Sequence, residues 1–166
     1  GGNAFDAAIA AAFTLSVVEP SMSGIGGRLQ AIYQTVDGNI AGVDATTEVP
    51  DNYSEPEEEY AYGYPTIGIP GVVAGLVKLH KEQGSLPLNI LMAPSIKFAE
   101  EGFKILPGEA LRQAGVVDQL AEFNGTRHHF LTSNLITTKS GDRLVQKDLA
   151  QVLKKIAAEG HRGFYE

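Results

Sequence analysis

The apolar positions of the first eighteen residues recur on a four-residue step. Phe5, Ile9, Phe13 and Val17, joined by Ala8 and Ala12, form one face of a helix predicted over residues 3–18. Asn3 is suited to cap its N-terminus, and Asp6, three residues on, to reach back as the acidic partner of a capping box. Ala4, Ala7, Ala10 and Ala11 add helix propensity and permit close approach of another element. Pro20 ends this helix, and Gly24, Gly26 and Gly27 free the backbone for tight turns. A weak alternation follows: Leu29–Val36 and Asn39–Val43 are predicted strands flanking Asp37-Gly38, a two-residue hairpin signal.

Helical spacing returns after Pro70-Gly71. A helix to Gln83 would bury Val72, Val73, Leu76, Val77 and Leu79, with Gly84 as its C-terminal cap. Leu88–Glu101 is the next, apolar at Ile90, Leu91, Ile96 and Phe98 and capped by Gly102. Pro94 either begins that helix proper or kinks it. Residues 108–122 have a helical pattern, whereas 124–140 are polar and irregular, with Asn124-Gly125 as a turn. Residues 147–159 close as an amphipathic helix on Leu149, Val152, Leu153 and Ile156. Five helices and one hairpin give an α+β, layered class. Between hairpin and second helix lies an acidic stretch rich in proline and tyrosine, residues 50–65, including Pro50, Pro56, Glu57, Glu58, Glu59, Tyr60, Tyr62 and Tyr64. It is either a solvated surface excursion or a lid over a site.

Composition narrows the classes. At 166 residues the chain suits one domain, and 43% hydrophobic with 20% charged residues is a globular balance. A net charge of −7 with scattered lysines and arginines argues against nucleic acid, which needs clustered cations. Absence of cysteine removes disulfides and cysteine-ligated metals. No apolar run reaches the roughly 18 residues that span a bilayer. Histidine chemistry is thin. His128 and His129 are adjacent, a spacing that points side chains apart rather than at one metal, and a loop surface is the simpler reading. His80 sits near a helix C-terminus beside Lys78 and Lys81, where positive charge is favourable, and His161 lies by the chain end.

Five blocks of this sequence, in order, resemble the gamma-glutamyltransferase (gamma-glutamyltranspeptidase) family. Gly1–Ala10 with Val18–Gly27 is similar to the family's G-G-N-A-x-D-A-A-x-A helix and E-P-x-x-S-G-x-G-G turn. Pro70–Gly75, Ala93–Phe103, Gly141–Ala150 and the closing Gly163–Tyr165 resemble four later blocks. The resemblance implies part of an αββα N-terminal-nucleophile hydrolase, a partial domain over residues 1–166 drawn from the large subunit and cut at both ends. In such enzymes a precursor cleaves itself, and the new N-terminal Thr attacks a gamma-glutamyl amide, as in glutathione, its own α-amine serving as base. That threonine has no counterpart here, so this chain alone is expected to be inactive, to need no cofactor, and to work with the rest of the large subunit and the small subunit. An unpartnered hairpin edge also favours self-association of the isolated segment. Family members are exported, membrane-anchored or cytoplasmic, and this stretch does not choose among them.

Two departures bear on substrate. The family grips the substrate α-carboxylate with an arginine in a D-x-R-E-x-A-P block, and the matching stretch, Asp44–Pro50, has Thr46 in place of the arginine and Thr47 in place of its acidic neighbour. Where many members continue with further glycines, this chain has Arg28. That residue is either an ordinary charge at the start of a strand or a relocated carboxylate anchor. Glu48 either favours an amine-bearing substrate or pairs with Arg28 if turn and hairpin end adjoin. The function implied is gamma-glutamyl transfer or hydrolysis. The alternatives are an amide acylase of the same fold with a glutaryl-type acyl group, and a non-catalytic homologue keeping only the scaffold.

Overall fold

Ile9, Phe13 and Val17 are fully buried in the computed structural model, which describes residues 1–55 and 57–166. They lie on α1 (Ala4–Val18), whose start is the capping box anticipated from sequence: Asn3 Oδ1 accepts from Asp6 N at 2.9 Å, and Asp6 Oδ2 from Asn3 N at 2.8 Å. The carboxylate does more than cap. Asp6 is 2% exposed and also accepts from Ser85 Oγ at 2.5 Å, Ser85 N at 3.0 Å and Leu86 N at 3.3 Å. It therefore ties the first helix to a loop 79 residues away. The Ser85 hydroxyl foremost, and then the backbone donors, outweigh burial and hold the carboxyl well below the usual carboxylate range.

Strands β1 (Leu29–Gln34) and β2 (Ile40–Ala45) pair antiparallel from Leu29↔Ala45 to Gln34↔Ile40. Leu29, Ala31 and Tyr33 face inward, and Tyr33 meets Phe5 edge to face at 5.2 Å. The other face is open, with Ile32 86% and Ile40 76% exposed. The turn is longer than the expected two residues. Thr35 N donates to Asn39 O and Gly38 N to Thr35 O, closing a Val36–Gly38 loop with Gly38 at φ 88°.

α2 (Val72–Gln83) packs on both strands and on α1, and α1 packs on α3 (Leu88–Glu101). α3 also meets α7 (Lys147–Glu159), which continues through Gly160 into α8 (Arg162–Tyr165). α3 runs through Pro94 as one helix and ends at Gly102, φ 82°. A two-residue ladder, β3 (Phe103–Lys104) with β4 (Arg143–Leu144), joins the third helix to the last long one.

The region expected as one helix and a loop is instead three short helices. α4 (Pro107–Ala114) stops at Gly115, because Val116 at φ −127°, ψ 23° leaves the helical region. α5 (Val117–Glu122) and α6 (Asn124–Phe130) follow. Asn124-Gly125 is thus the first turn of a helix, not a free turn. Polar side chains cause this: Thr126 Oγ1 donates to Leu120 O at 2.7 Å and the Arg127 guanidinium to Ala121 O at 2.7 and 3.0 Å, satisfying the carbonyls that end α5. The described residues hold eight α-helices, so the α+β class stands with more helices than expected. Pro56 of the acidic stretch lies outside the described residues.

Truncating Phe13 to alanine is expected to destabilise the protein by about 3–5 kcal/mol, because that side chain is wholly enclosed. Urea unfolding of Phe13→Ala measures it; a loss under 1 kcal/mol would mean the site collapses around the gap. Asp6 generates a second expectation. Its folded-state pKa lies below the unfolded one, so its contribution is complete above the ordinary carboxylate range and is lost as pH falls below about 4. Melting temperature should drop with acid in that window, and Asp6→Asn should be less stable at pH 7 with a shallower acid decline.

Candidate functional site

Three backbone segments converge where the glycine turn enters β1. Gly27 O accepts from Gly71 N at 3.0 Å and Val72 N at 3.2 Å, which docks the turn on the start of α2. A Cβ on Gly71 would collide with the carbonyl oxygens of Ala45 and Thr46, so this backbone sits directly against the end of β2. One turn on, a Cβ on Gly75 would lie 2.7 Å from Ala45 Cβ and 2.9 Å from Leu29 Cδ2. The glycines of the Pro70–Gly75 block are therefore spacers that let a helix lie on the hairpin.

Tyr165 completes the junction. Its hydroxyl accepts from Ala74 N at 3.1 Å and donates to Pro70 O at 2.7 Å. α2 has no side-chain N-cap, and Gly27 O with Tyr165 Oη takes that role. Burial raises the phenol pKa, which keeps the donor proton in place. His161 stacks on the same ring with centroids 4.4 Å apart.

Arg28 and Thr46 flank the last pair of the ladder, Leu29↔Ala45, at this junction. Continuing the register Leu29↔Ala45 by one residue sets them opposite each other, on the outer face with Gln30 and Asp44. Both are exposed. Arg28 borders a cleft of about 550 Å3 with Gly24, Gly27, Val72 and Leu76. Glu48 does not pair with Arg28. It forms an antiparallel bridge with Ile69, its N donating to Ile69 O at 3.0 Å, which carries it two residues past the point opposite Arg28. Among the described residues Arg28 has no carboxylate partner within ion-pair distance.

Thr47 and Glu48 border a separate cleft of about 540 Å3, whose far wall is the acidic loop: Tyr53, Glu55, Glu58, Glu59 and Tyr60. The loop is fastened beyond the cleft, where Tyr62 Oη donates to Glu122 Oε1 at 3.0 Å and Tyr62 and Tyr64 meet Phe123 edge to face. Such an arrangement presents one cation beside one cleft and several carboxylates around the other.

A cluster on α4 escaped notice in the sequence. Glu109 is 1% exposed and accepts from Ser21 Oγ at 2.6 Å, Gln113 Nε2 at 2.7 Å and Arg112 Nη2 at 3.0 Å. Burial opposes its charge, but these donors together hold the carboxyl below its ordinary range. Arg112 also reaches Glu19 and Ser21. Only the Glu19–Ser21 end of the cluster was visible as motif; a lone arginine 91 residues on carries no local signal. His128 and His129 lie on α6 rather than on a loop, and His129 Nε2 stands 3.7 Å from Asp148 Oδ2. His80 Nε2 bonds Leu86 O at 2.8 Å, a structural contact.

Replacing Gly71 by alanine is expected to destabilise strongly, since the obstruction is backbone, while Gly26→Ala, which meets nothing within 4 Å, should be nearly neutral. Thermal melts of the pair test the junction; equal shifts would mean that the turn and helix do not dock this way.

Comparison with known proteins followed the same lines. The profile described as Gamma-glutamyltranspeptidase matches residues 1–166. The chain is 35% identical over 167 residues to the Capsule biosynthesis protein CapD proenzyme of Bacillus anthracis, covering 100% of this chain and 29% of that protein. It superposes on the crystal structure of Helicobacter pylori gamma-glutamyltranspeptidase with TM-score 0.95 and 31% identity, over 100% of this chain and 50% of that one. Cephalosporin acylase from Bacillus halodurans gives TM-score 0.90 and 28% identity, over 99% of this chain and 33% of that one. The chain thus spans from under a third to about half of the length of these relatives. Among the described residues no helix is long and apolar enough to cross a membrane.

Proposed function

Because the chain belongs to the gamma-glutamyltranspeptidase family, we propose that it forms the donor-binding part of an enzyme that transfers or hydrolyses gamma-glutamyl or related acyl amides. The nucleophile is an N-terminal threonine on the small subunit, and the remainder of the large subunit completes the sandwich. Threonine Oγ attacks the amide carbonyl and its proton passes through the α-amine to the departing amine. Water or an acceptor amine then opens the acyl ester. No residue of this chain takes part in that covalent step. Its work is binding and orientation.

The observation that supports the reading is that the ladder's last pair is Leu29↔Ala45, so that Arg28 and Thr46 are the next residues on either side of it. A charge of the kind missing from position 46 stands at Arg28, just before the neighbouring strand. A guanidinium there can read the same carboxylate, since it needs only a planar approach and room, and Arg28 is unpaired by any carboxylate of the described residues. Glu48 borders the separate acidic cleft and is not part of this carboxylate-reading arrangement. Thr46 itself offers one hydroxyl. A second reading, an acylase for acyl groups lacking the α-amino acid end, is favoured by that same Thr46 and by the likeness to the cephalosporin acylase structure.

The assay is discrimination between a gamma-glutamyl anilide and its des-carboxy analogue in the full-length protein. Arg28→Ala should lower the preference for the carboxylate-bearing donor about ten- to a hundredfold, the effect of losing one charge-assisted pair. Arg28→Ala with Thr46→Arg should recover much of it, because the charge moves only across the ladder. If Arg28→Ala changes nothing, the anchor lies elsewhere. A wild type that prefers des-carboxy donors supports the acylase reading, and a full-length protein with no turnover of any amide supports a scaffold only.

A further inference from the structure

We propose that Arg112 is a positioning residue for donor binding: it clamps the turn that leads from α1 to Arg28. The inference rests on the reading of the Arg28 junction given above. Arg112 Nε donates to Ser21 Oγ at 2.6 Å, and Nη2 donates to Glu19 Oε2 at 2.6 Å and to Glu109 Oε2 at 3.0 Å. Ser21 Oγ donates in turn to Glu109 Oε2 at 2.6 Å. One guanidinium on α4 therefore holds two successive polar side chains of the turn, and a buried carboxylate holds the guanidinium. Glu109 cannot swing away, because Gln113 Nε2 binds its other oxygen and Gln113 Oε1 is fixed by Thr138 Oγ1 at 3.0 Å.

The turn gains from an external clamp. Met22 N and Ser23 N both donate to Glu19 O, whereas Gly24–Gly26 are held internally only by a weak turn at Ile25–Gly26. Two glycines in that stretch, with a third at Gly27, lower its resistance to bending further. Its far end is pinned where Gly27 O meets the start of α2, and Arg28 is the next residue. Releasing the near end thus leaves the Gly27 carbonyl as the single tie that sets the direction of Arg28. Arginine suits the post because three oxygens are reached by a rigid planar fork; lysine offers a single point of charge.

The test uses the full-length protein with Arg112→Met, Arg112→Lys and Ser21→Ala, the last removing one hydroxyl and carrying the test if either Arg112 variant fails to fold or process. Hydrogen–deuterium exchange should quicken over residues 22–28 and stay unchanged over 4–18. The KM of a gamma-glutamyl anilide should rise about tenfold in Arg112→Met with kcat held within about threefold, and Arg112→Lys should recover part of the loss. In an Arg28→Ala background the Arg112→Met change should add little to KM. Unchanged exchange over 22–28 overturns the inference whatever Arg28 does. So does faster exchange with an unchanged KM. If Arg28→Ala alone leaves donor discrimination intact, the reading of Arg28 fails by itself, and the clamp stands only if Arg112→Met still raises KM.

Discussion

The contact between the start of α2 and the end of the hairpin is made without side chains, and everything at the candidate site is placed by it. Gly71 lies against the carbonyls of Ala45 and Thr46, and its N–H meets Gly27 O. Backbone-to-backbone contact of this kind leaves no rotamer to adjust. It fixes the spacing of three segments to within the tolerance of a hydrogen bond, which is the accuracy a binding site needs. Its consequence is that helix α2 begins without a polar cap of its own and borrows Gly27 O and Tyr165 Oη. The last residues of the chain thereby become part of the junction.

Two buried carboxylates act as long-range fasteners on either side of this contact. Asp6 joins α1 to the loop before α3, and Glu109 with Arg112 joins α4 to the turn after α1. Each is enclosed and each is fully supplied with donors, the condition under which a buried charge organises structure rather than weakening it. Removing Arg112 strands the buried Glu109 carboxylate, and removing Asp6 strands its buried donors, so these sites tolerate substitution poorly even where the hydrophobic contacts around them are unchanged.

How much of this was legible in the chain depended on range. The capping box at Asn3 and Asp6, the stripe Ile9–Phe13–Val17 and the helices 72–83, 88–101 and 147–159 are local patterns, and they formed where the spacing put them. The polar stretch after residue 123 was unreadable because its helix is secured by Thr126 and Arg127 bonding backward onto α5, a contact that polarity alone does not announce. Asp6 to Ser85, Arg112 to Ser21 and Tyr165 to Ala74 each span 79 residues or more. Their residues looked like a cap, a stray cation and a terminal aromatic. Near the site, the ladder that ends at Leu29↔Ala45, beside Arg28 and Thr46, was not legible in such detail; nor was the divergence of Glu48 toward Ile69.

That register also decides what the departure from the family pattern means physically. Moving a cation from one strand to its cross-strand neighbour displaces it by about 5 Å, the spacing of paired strands. A guanidinium on a flexible stem covers that distance easily, so loss of the arginine at position 46 need not abolish carboxylate recognition. On the proposed reading the carboxylate is approached from a different angle, one set by the glycine turn, which is held at its two ends, rather than by the segment that follows β2. Under the proposed reading, specificity depends on residues remote from the donor, Arg112 among them, in a way that an arginine at position 46 would not make it.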